Sequence, residues 1–284
     1  MIVLESPAEA SRWCEDQRRR GRSIGMVPTM GALHDGHLEL VARCARENEV
    51  CVVSIFVNPL QFNERSDFDA YPRDIQADAA LLERHGCDMA FTGSLMDFFP
   101  EANGEQDIKL LDPGPFADGL EGEHRPGHFA GVRTIVERLF LTVRPERAYF
   151  GEKDFQQTLV VKDLAAVLGF PKIVVCETMR EPSGLAMSSR NRRLSATQRA
   201  DAAIIFRALN AARDAWRDGE RRRGALSNAM RNVLRKGAVE VEYAEVRDPG
   251  EWANDDPETR LMRAHALVAA RCGGVRLIDN LALD

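Results

Sequence analysis

The stretch Met26-Val27-Pro28-Thr29-Met30-Gly31-Ala32-Leu33-His34-Asp35-Gly36-His37 decides the fold. The apolar residues 24–27 predict a short strand, and the Pro/Gly turn that follows leads into residues 38–45, whose apolar side chains recur with helical spacing. We expect Asp35 to be the N-cap of this helix, which places His37 in its first turn. A strand, a tight turn and a helix therefore follow one another here.

The histidines His34 and His37 form an H-x-G-H motif at the predicted helix start. A helix N-terminus exposes backbone N–H groups and a partial positive charge, which suits an anion such as phosphate. Gly36 has no side chain to block its approach. The motif resembles the signature of the nucleotidyltransferase superfamily. Two other interpretations stay open at this point: a plain strand–turn–helix connection, and a histidine pair that binds a metal.

Size and composition limit the class of protein. A chain of 284 residues with 44% apolar and 29% charged residues is typical of a globular protein with one large or two smaller domains. The formal charge of −6 argues against a nucleic-acid partner. There is neither a signal peptide nor an apolar run near the ~20 residues of a membrane span, so we expect a cytoplasmic protein without a membrane partner. Six cysteines without a C-x-x-C pair are expected to be buried, reduced thiols.

The remaining pattern predicts two domains. Apolar strand-like runs alternate with helices up to residue 176, which indicates a Rossmann-like parallel α/β domain over residues 1–176. Its strands are predicted at 24–27, 50–57, 87–92, 147–150 and 172–176. Residues 177–284 predict a smaller α+β domain with a long helix at 196–218, a shorter helix at 227–235 and three strands. The P-loop and G-x-G-x-x-G motifs are both absent, so a nucleotide would depend on the turn at 34–37.

Several polar residues sit where a ligand could bind. Asn58, Gln61 and Gln157 follow predicted strand ends, and neutral amides suit the hydroxyl and carboxylate oxygens of a small hydroxy acid, although each also fits an ordinary loop. Lys153, after a glycine at a strand end, suits a phosphate or plain solvent. Asp154 could bind a ribose hydroxyl or cap the next helix.

A second set of charged and hydroxyl residues allows two interpretations. Ser188, Ser189 and Arg190 could clamp the β- and γ-phosphates of a nucleotide, or form a surface turn. Asp78 is a candidate indirect Mg²⁺ partner or a solvated helix carboxylate. The basic run 221–223 is expected on a solvated face.

Five motifs together resemble one family. The turn at 28–37 is followed in order by Ser54-Ile55-Phe56-Val57-Asn58-Pro59-Leu60-Gln61-Phe62, Gly122-Glu123-His124-Arg125-Pro126-Gly127-His128-Phe129-Ala130-Gly131-Val132, Gly151-Glu152-Lys153-Asp154-Phe155-Gln156-Gln157 and Met187-Ser188-Ser189-Arg190-Asn191. From residue 24 to 194 the chain resembles the pantothenate synthetase (pantoate–β-alanine ligase) family. The last ninety residues carry no motif that we can match.

The resemblance implies an ATP-dependent condensation of pantoate with β-alanine through a pantoyl-adenylate, with Mg²⁺ as cofactor. It also implies a homodimer and a C-terminal lid domain. The residues implied to be catalytic are His34, His37, Lys153 and Arg190. Those implied to bind ATP are Met30, His34, His37, Gly151, Lys153, Asp154, Met187, Ser188, Ser189 and Arg190. Gln61, Gln157 and Asn58 are implied to bind pantoate. Arg125 and His128 are placed at the active site without a defined role.

Two rival functions remain. One is another nucleotidyltransferase, such as a cytidylyltransferase, and the other is a non-catalytic ATP- or RNA-binding module. The paired glutamines Gln61 and Gln157 argue against the first, and the acidic balance argues against an RNA partner.

Overall fold

The chain folds into two compact units. The structure is a computed structural model that describes residues 1–283, with Ser66 described by its backbone alone. The first unit comprises Met1–Gly151 and Gln156–Cys176, and the second comprises Glu152–Phe155 and the chain from Glu177 onward. A four-residue segment of the second unit therefore interrupts the first unit in sequence.

A six-stranded parallel sheet forms the centre of the first unit. Its strands are β1 (Ile2–Leu4), β2 (Ile24–Thr29), β3 (Val50–Ile55), β4 (Met89–Phe91), β5 (Arg147–Gly151) and β6 (Lys172–Cys176). They are ordered β1-β4-β3-β2-β5-β6, and every pair is parallel. The five predicted strands are present. β1 was not predicted, because three residues are too few to show a period.

Helices cover both faces of this sheet. Those of the chain up to β6 are α1 (Pro7–Arg19), α2 (Asp35–Glu47), α3 (Arg65–Asp69), α4 (Ile75–Arg84), α5 (Leu95–Phe98), α6 (Glu121–His124), α7 (His128–Val143) and α8 (Phe155–Leu168). Met26 packs in a core with α1 and α7, whereas its neighbour Val27 packs in a separate core with α2. Burial on both faces explains why the strands are almost continuously apolar.

The start of α2 differs from the prediction by one residue. Asp35 is already helical, and His34 is the N-cap, because the His34 Nδ1 atom accepts a hydrogen bond from the Gly36 N–H at 3.2 Å. The prediction of Asp35 as the cap is wrong. An imidazole Nδ1 reaches the N–H groups of a first turn in the way that an Asn or Asp oxygen does. His37 lies in the first turn, as predicted.

The strand order reverses at β2. β3 and β4 lie on one side of β2, and β5 and β6 lie on the other. In open α/β sheets ligands bind outside the carboxyl ends of the strands that flank such a reversal. The carboxyl end of β2 leads into the H-x-G-H turn, and that of β5 leads into the segment Glu152–Phe155. The strand order therefore favours these two connections as ligand-binding segments.

The second unit combines an antiparallel sheet with helices. Its elements are α9 (Ala196–Ala202), α10 (Ile204–Arg217), α11 (Arg223–Leu234), β7 (Glu240–Arg247), β8 (His265–Cys272) and β9 (Val275–Ala282), and its strands are ordered β7-β8-β9. The predicted fold class, a parallel α/β sheet followed by a smaller α+β part, is confirmed. The single helix predicted over 196–218 is wrong, because it breaks at Ala203.

Other composition-based expectations have mixed outcomes. All six cysteines are free and buried, as expected. Burial raises the pKa of the Cys14 thiol to about 12, which keeps it protonated. None of the helices within residues 1–283 has the length and apolar character needed to cross a membrane. The prediction that the basic run 221–223 lies on a solvated face is wrong for Arg223. Its side chain is 4% exposed, and its Nε donates to the Val246 carbonyl at 2.9 Å.

Adjacent arginines of this run allow a stability test. Arg223 also pairs with Glu245 at 2.9 Å, whereas the exposed Arg222 pairs with Glu220. We predict that Arg223→Ala lowers the free energy of unfolding by about 3 kcal/mol, the lower end for a broken buried ion pair, because Arg231 still pairs with Glu245. Urea unfolding followed by tryptophan fluorescence measures the change. Arg222→Ala is the control and should leave the midpoint unchanged. Equal midpoints for both variants would contradict the assignment of Arg223 to the core.

Candidate active site

A buried carboxylate organises the turn after β2. Gly31 and Ala32 adopt positive φ angles of 78° and 52°. This brings the N–H groups of Ala32 and Leu33 onto the two oxygens of Asp78, each at 2.9 Å. A Cβ atom at position 31 would lie 2.7 Å from Asp78 Oδ2, so the close approach requires glycine. Asp78 is 4% exposed, and the alternative of a solvated helix carboxylate is wrong.

The end of β2 completes the same turn. The Thr29 hydroxyl donates to the Ser54 carbonyl at 2.6 Å and accepts the Gly31 N–H at 3.2 Å. The three successive turn amides from Gly31 to Leu33 are therefore bound by side chains of the protein itself. The anion that Ala32 and Leu33 bind through their N–H groups is therefore the Asp78 carboxylate of the protein itself.

His34 and His37 lie against each other at the start of α2. Their ring centroids are 4.1 Å apart with a 41° angle between the planes, and both side chains are half-buried. His34 Nδ1 accepts from the Gly36 N–H, so the proton of a neutral His34 ring is on Nε2. The His37 N–H donates to the His34 carbonyl at 2.8 Å, which fixes the spacing of the pair. His34 thus carries an N–H donor suited to a phosphate oxygen.

The side chain of Gln61 is held by Asn58 and Met30. Gln61 Oε1 accepts from Asn58 Nδ2 at 3.0 Å, and Gln61 Nε2 donates to Met30 Sδ at 3.1 Å. Asn58 is 1% exposed, and its amide also bonds the Gly131 carbonyl and the Leu60 N–H. A Cβ atom on Gly131 would lie 2.0 Å from the Leu60 oxygen, so glycine is needed for this packing. Asn58 therefore orients Gln61 from within the protein.

Arg125 and His128 hold the backbone of the same glutamine. His128 Nδ1 lies 2.9 Å from the Gln61 carbonyl oxygen and Arg125 Nη2 lies 3.3 Å from it. A carbonyl oxygen only accepts, so the His128 proton is on Nδ1 and His128 Nε2 accepts from Arg125 Nη1 at 3.1 Å. Both residues contact Gln61, which gives them a defined structural role.

The neighbouring residues Gln156 and Gln157 have different environments. Gln156 is 2% exposed, accepts from the Glu121 N–H at 3.0 Å, and donates to the carbonyls of Phe116 and Gly119 at 2.9 and 3.1 Å. Gln157 is half-buried, and within residues 1–283 its side-chain amide makes no hydrogen bond to the protein. Gln156 therefore fixes a loop, whereas the Gln157 amide is available to a ligand.

In the second unit, Lys153 and Asp154 form an ion pair. Lys153 Nζ lies 3.1 Å from Asp154 Oδ1, and the Lys153 side chain is 18% exposed. The Lys153 side chain is therefore paired and largely shielded from solvent, so the alternative interpretation of a solvated surface lysine is wrong. Gly151, the last residue of β5, precedes this segment in the first unit.

The loop carrying Ser188, Ser189 and Arg190 is fixed by its own neighbours. The Ser188 hydroxyl accepts the Arg190 N–H at 3.3 Å and caps a 3₁₀ turn over Ser189–Arg193. The Met187 N–H donates to the Met179 carbonyl at 2.9 Å. All four residues from 187 to 190 are half-buried. The loop has a defined shape with hydroxyl and guanidinium groups at one turn.

The side chains of the described residues do not provide a site for a resident metal. No group of three or more His, Cys, Asp or Glu side chains within residues 1–283 could hold a metal ion. Both oxygens of Asp78, the candidate Mg²⁺ partner, already accept backbone N–H groups. The protein residues alone therefore do not fit a resident Mg²⁺ ion.

Sequence reasoning missed the structural roles of Thr29, Asp78 and Gln156. A usable signal existed for Asp78, which lies one helical turn before Leu82 and hence on the buried face of α4. No comparable local signal existed for Gln156, whose partners lie 35 to 40 residues away in sequence.

Comparisons with known proteins point in one direction. A family model described as Pantoate-beta-alanine ligase matches residues 2–282. A relative from Rubrobacter xylanophilus described as Pantothenate synthetase is 45% identical over 288 residues, covering 99% of this chain and 98% of the relative. The crystal structure of pantothenate synthetase from Thermus thermophilus has a TM-score of 0.89 and 41% identity, covering 100% of this chain and 99% of that chain. A second crystal structure is that of Pantoate-beta-alanine ligase from Francisella tularensis complexed with Beta-gamma ATP and Beta-alanine. It has a TM-score of 0.79 and 33% identity, and the match covers 100% of this chain and 98% of that chain.

The two adjacent glutamines give a matched stability test. We predict that Gln156→Ala lowers the free energy of unfolding by roughly 1–3 kcal/mol, because it leaves buried backbone groups of the 116–121 loop without partners. Gln157→Ala should leave the unfolding midpoint close to wild type. Chemical denaturation of both variants measures the difference. A destabilised Gln157→Ala protein together with a stable Gln156→Ala protein would reverse the assignment.

Proposed function

The chain belongs to the pantoate-beta-alanine ligase family, and we propose that it joins pantoate to β-alanine through a pantoyl-adenylate. It is an enzyme, a pantoate–β-alanine ligase that uses ATP. In the proposed first step a pantoate carboxylate oxygen attacks the α-phosphorus of ATP, and pyrophosphate leaves. In the second step the β-alanine amine attacks the acyl carbon, loses a proton and forms the amide as AMP leaves.

Neither of these two reaction steps needs a covalent bond between substrate and protein. The side chains proposed to bind the substrates are imidazole donors, amides, hydroxyls and cations. Such groups suit catalysis by positioning and charge stabilisation. The observation that carries the proposal furthest is the contact between His34 and His37 at the start of α2. We propose that both rings donate to phosphate oxygens of ATP and that these bonds strengthen as charge develops on the departing pyrophosphate.

The pantoate site is proposed at Gln61 and Gln157. Amides both donate and accept, which matches the hydroxyl and carboxylate groups of pantoate. The anchoring of Gln61 by Asn58, Arg125 and His128 supports this role, since a pre-oriented side chain loses less freedom on binding. We propose that Asn58 acts through Gln61, and direct contact of Asn58 with pantoate stays a prediction.

The second unit is proposed to contribute cationic and hydroxyl groups to ATP binding. Lys153, Ser188, Ser189 and Arg190 would bind phosphate oxygens, with the guanidinium as the bidentate partner. Asp154 would bind the ribose. Gly151 and the two methionines Met30 and Met187 complete the proposed ATP set by resemblance to the family.

Magnesium is proposed to enter with ATP. Mg²⁺ keeps several water ligands and binds nucleotides through their phosphates, so it does not require a cage of protein carboxylates. We do not assign Asp78 to the ion, because its oxygens hold the turn after β2. A homodimer, a cytoplasmic location and a lid role for the second unit also stay proposals that rest on the family resemblance.

The order of the two steps gives the first test of this function. With ATP, Mg²⁺ and pantoate but no β-alanine, we predict release of about one pyrophosphate per active site followed by a stall, as in burst kinetics. Rapid-quench measurement of pyrophosphate tests this. A cytidylyltransferase would prefer another nucleotide, and a binding module would release none. Pyrophosphate that appears only with β-alanine would contradict the adenylate.

The histidine pair gives the second test. We predict that His37→Ala slows adenylate formation by roughly 10²–10³-fold, as found when one oxyanion donor is lost. The attack of β-alanine on pantoyl-adenylate supplied ready-made should change far less, because pyrophosphate is absent from that step. Single-turnover assays of both half-reactions measure this. Equal loss in both steps, or loss of a stoichiometric metal from the variant, would favour the metal-binding interpretation.

A further inference from the structure

A buried asparagine on the last strand holds the segment that carries Lys153. Asn280 lies on β9 and is 3% exposed. Its Nδ2 atom donates to the carbonyl oxygens of both Glu152 and Lys153, each at 2.8 Å. One side chain thus fixes two successive peptide groups, and one of them belongs to the lysine itself.

A histidine on the neighbouring strand orients this asparagine. His265 on β8 is 4% exposed, and its Nε2 atom lies 2.8 Å from Asn280 Oδ1. The Asn280 nitrogen must face two carbonyls, which only accept, so its oxygen faces His265 and the His265 proton is on Nε2. Both N–H bonds and the oxygen of the Asn280 amide then have a hydrogen-bond partner. A flipped amide would place an oxygen against two carbonyl oxygens.

The same histidine also holds the far end of the segment. The His265 ring stacks on Phe155 with centroids 3.5 Å apart and a 12° angle between planes. The segment Glu152–Phe155 is therefore attached at three points to β8 and β9: two carbonyl groups and one aromatic ring. This explains why these four residues belong to the second unit although β5 and most of α8 belong to the first.

The position of Asn280 is itself rigid. Its N–H donates to Asp279 Oδ1 at 2.8 Å, and its carbonyl accepts from Arg180 Nη2 at 3.2 Å. Arg180 and Asp279 form a two-point ion pair at 2.6 and 3.0 Å. Asp279 is 4% exposed, so this pair is largely shielded from water. The backbone of Asn280 is therefore fixed by hydrogen bonds of its own, and its side chain contacts the segment Glu152–Phe155 from this fixed position.

We propose that Asn280 and His265 are positioning residues for the ammonium group of Lys153. The inference rests on the proposed role of Lys153 as a phosphate ligand. Lysine has a flexible four-carbon stem, so the direction of its charge depends on how firmly its backbone is fixed. Fixing its own carbonyl and that of its neighbour restricts this direction before ATP binds. Loss of such a supporting contact typically lowers affinity or activity ~10- to 100-fold where it has been measured, at metal sites.

The test compares Asn280→Ala and His265→Phe with the control Ser227→Ala. His265→Phe keeps an aromatic ring against Phe155 but removes the Nε2 donor. Ser227 is 1% exposed in the same unit and accepts the Val246 N–H at 3.1 Å, so its loss destabilises the unit without contacting the lysine segment. We expect both test variants to raise the ATP dissociation constant and the KM for ATP ~10-fold or more, with an unchanged KM for β-alanine. Ser227→Ala should change the melting temperature alone.

A double-mutant cycle separates positioning from a purely structural role. In a Lys153→Ala background, Asn280→Ala and His265→Phe should weaken ATP binding no further, because the group that they position is gone. ATP affinity measured by titration calorimetry on the full chain gives the result. Wild-type ATP affinity in His265→Phe, or losses that multiply with Lys153→Ala, would overturn the inference. Wild-type activity of Lys153→Ala would instead remove the proposed function of that lysine.

Discussion

The turn after β2 depends on the hydrogen bonds that the Ala32 and Leu33 N–H groups donate to the Asp78 carboxylate. A buried charge is costly unless it is compensated, and here two backbone N–H groups compensate it. The same two bonds hold Ala32 in a left-handed conformation that costs an L-residue about 1–2 kcal/mol. Glycine at 31 provides the space for the carboxylate. The start of α2, and with it the spacing of His34 and His37, follows from this geometry.

Three of the proposed ligand positions are held by polar neighbours. Asn58, Arg125 and His128 hold Gln61, Asp78 holds the histidine turn, and Asn280 holds the lysine segment. Groups held in this way need little reorganisation to meet a ligand, which is what catalysis by positioning requires. Apart from Asn58, which lies three residues before Gln61, the supporting residues lie far from their partners in sequence, so these contacts depend on tertiary structure and not on the motifs alone.

The sequence predicted the local secondary structure better than it predicted the residues that hold the proposed ligand groups. Apolar periodicity was sufficient for the five longer runs of the parallel sheet and for the α/β class, since each signal lies within one segment. It could not predict β1, the break at Ala203, or the burial of Arg223. These depend on partners such as β4 and Glu245, which no local pattern reveals. Asp78 and Asn280 contact residues 45 and 128 positions away, so their roles required the structure.

We propose that the pantoate carboxylate attacks the α-phosphorus of ATP, and the rest of the proposed reaction depends on this step. Pantoate labelled with ¹⁸O in its carboxylate tests this directly, because each route sends the label to a different product. After one round of synthesis with unlabelled ATP and β-alanine, mass spectrometry of AMP, pyrophosphate and pantothenate locates the oxygen. We predict one ¹⁸O atom in AMP, with the other retained in the pantothenate amide. Unlabelled AMP with ¹⁸O in pyrophosphate or phosphate would contradict this claim.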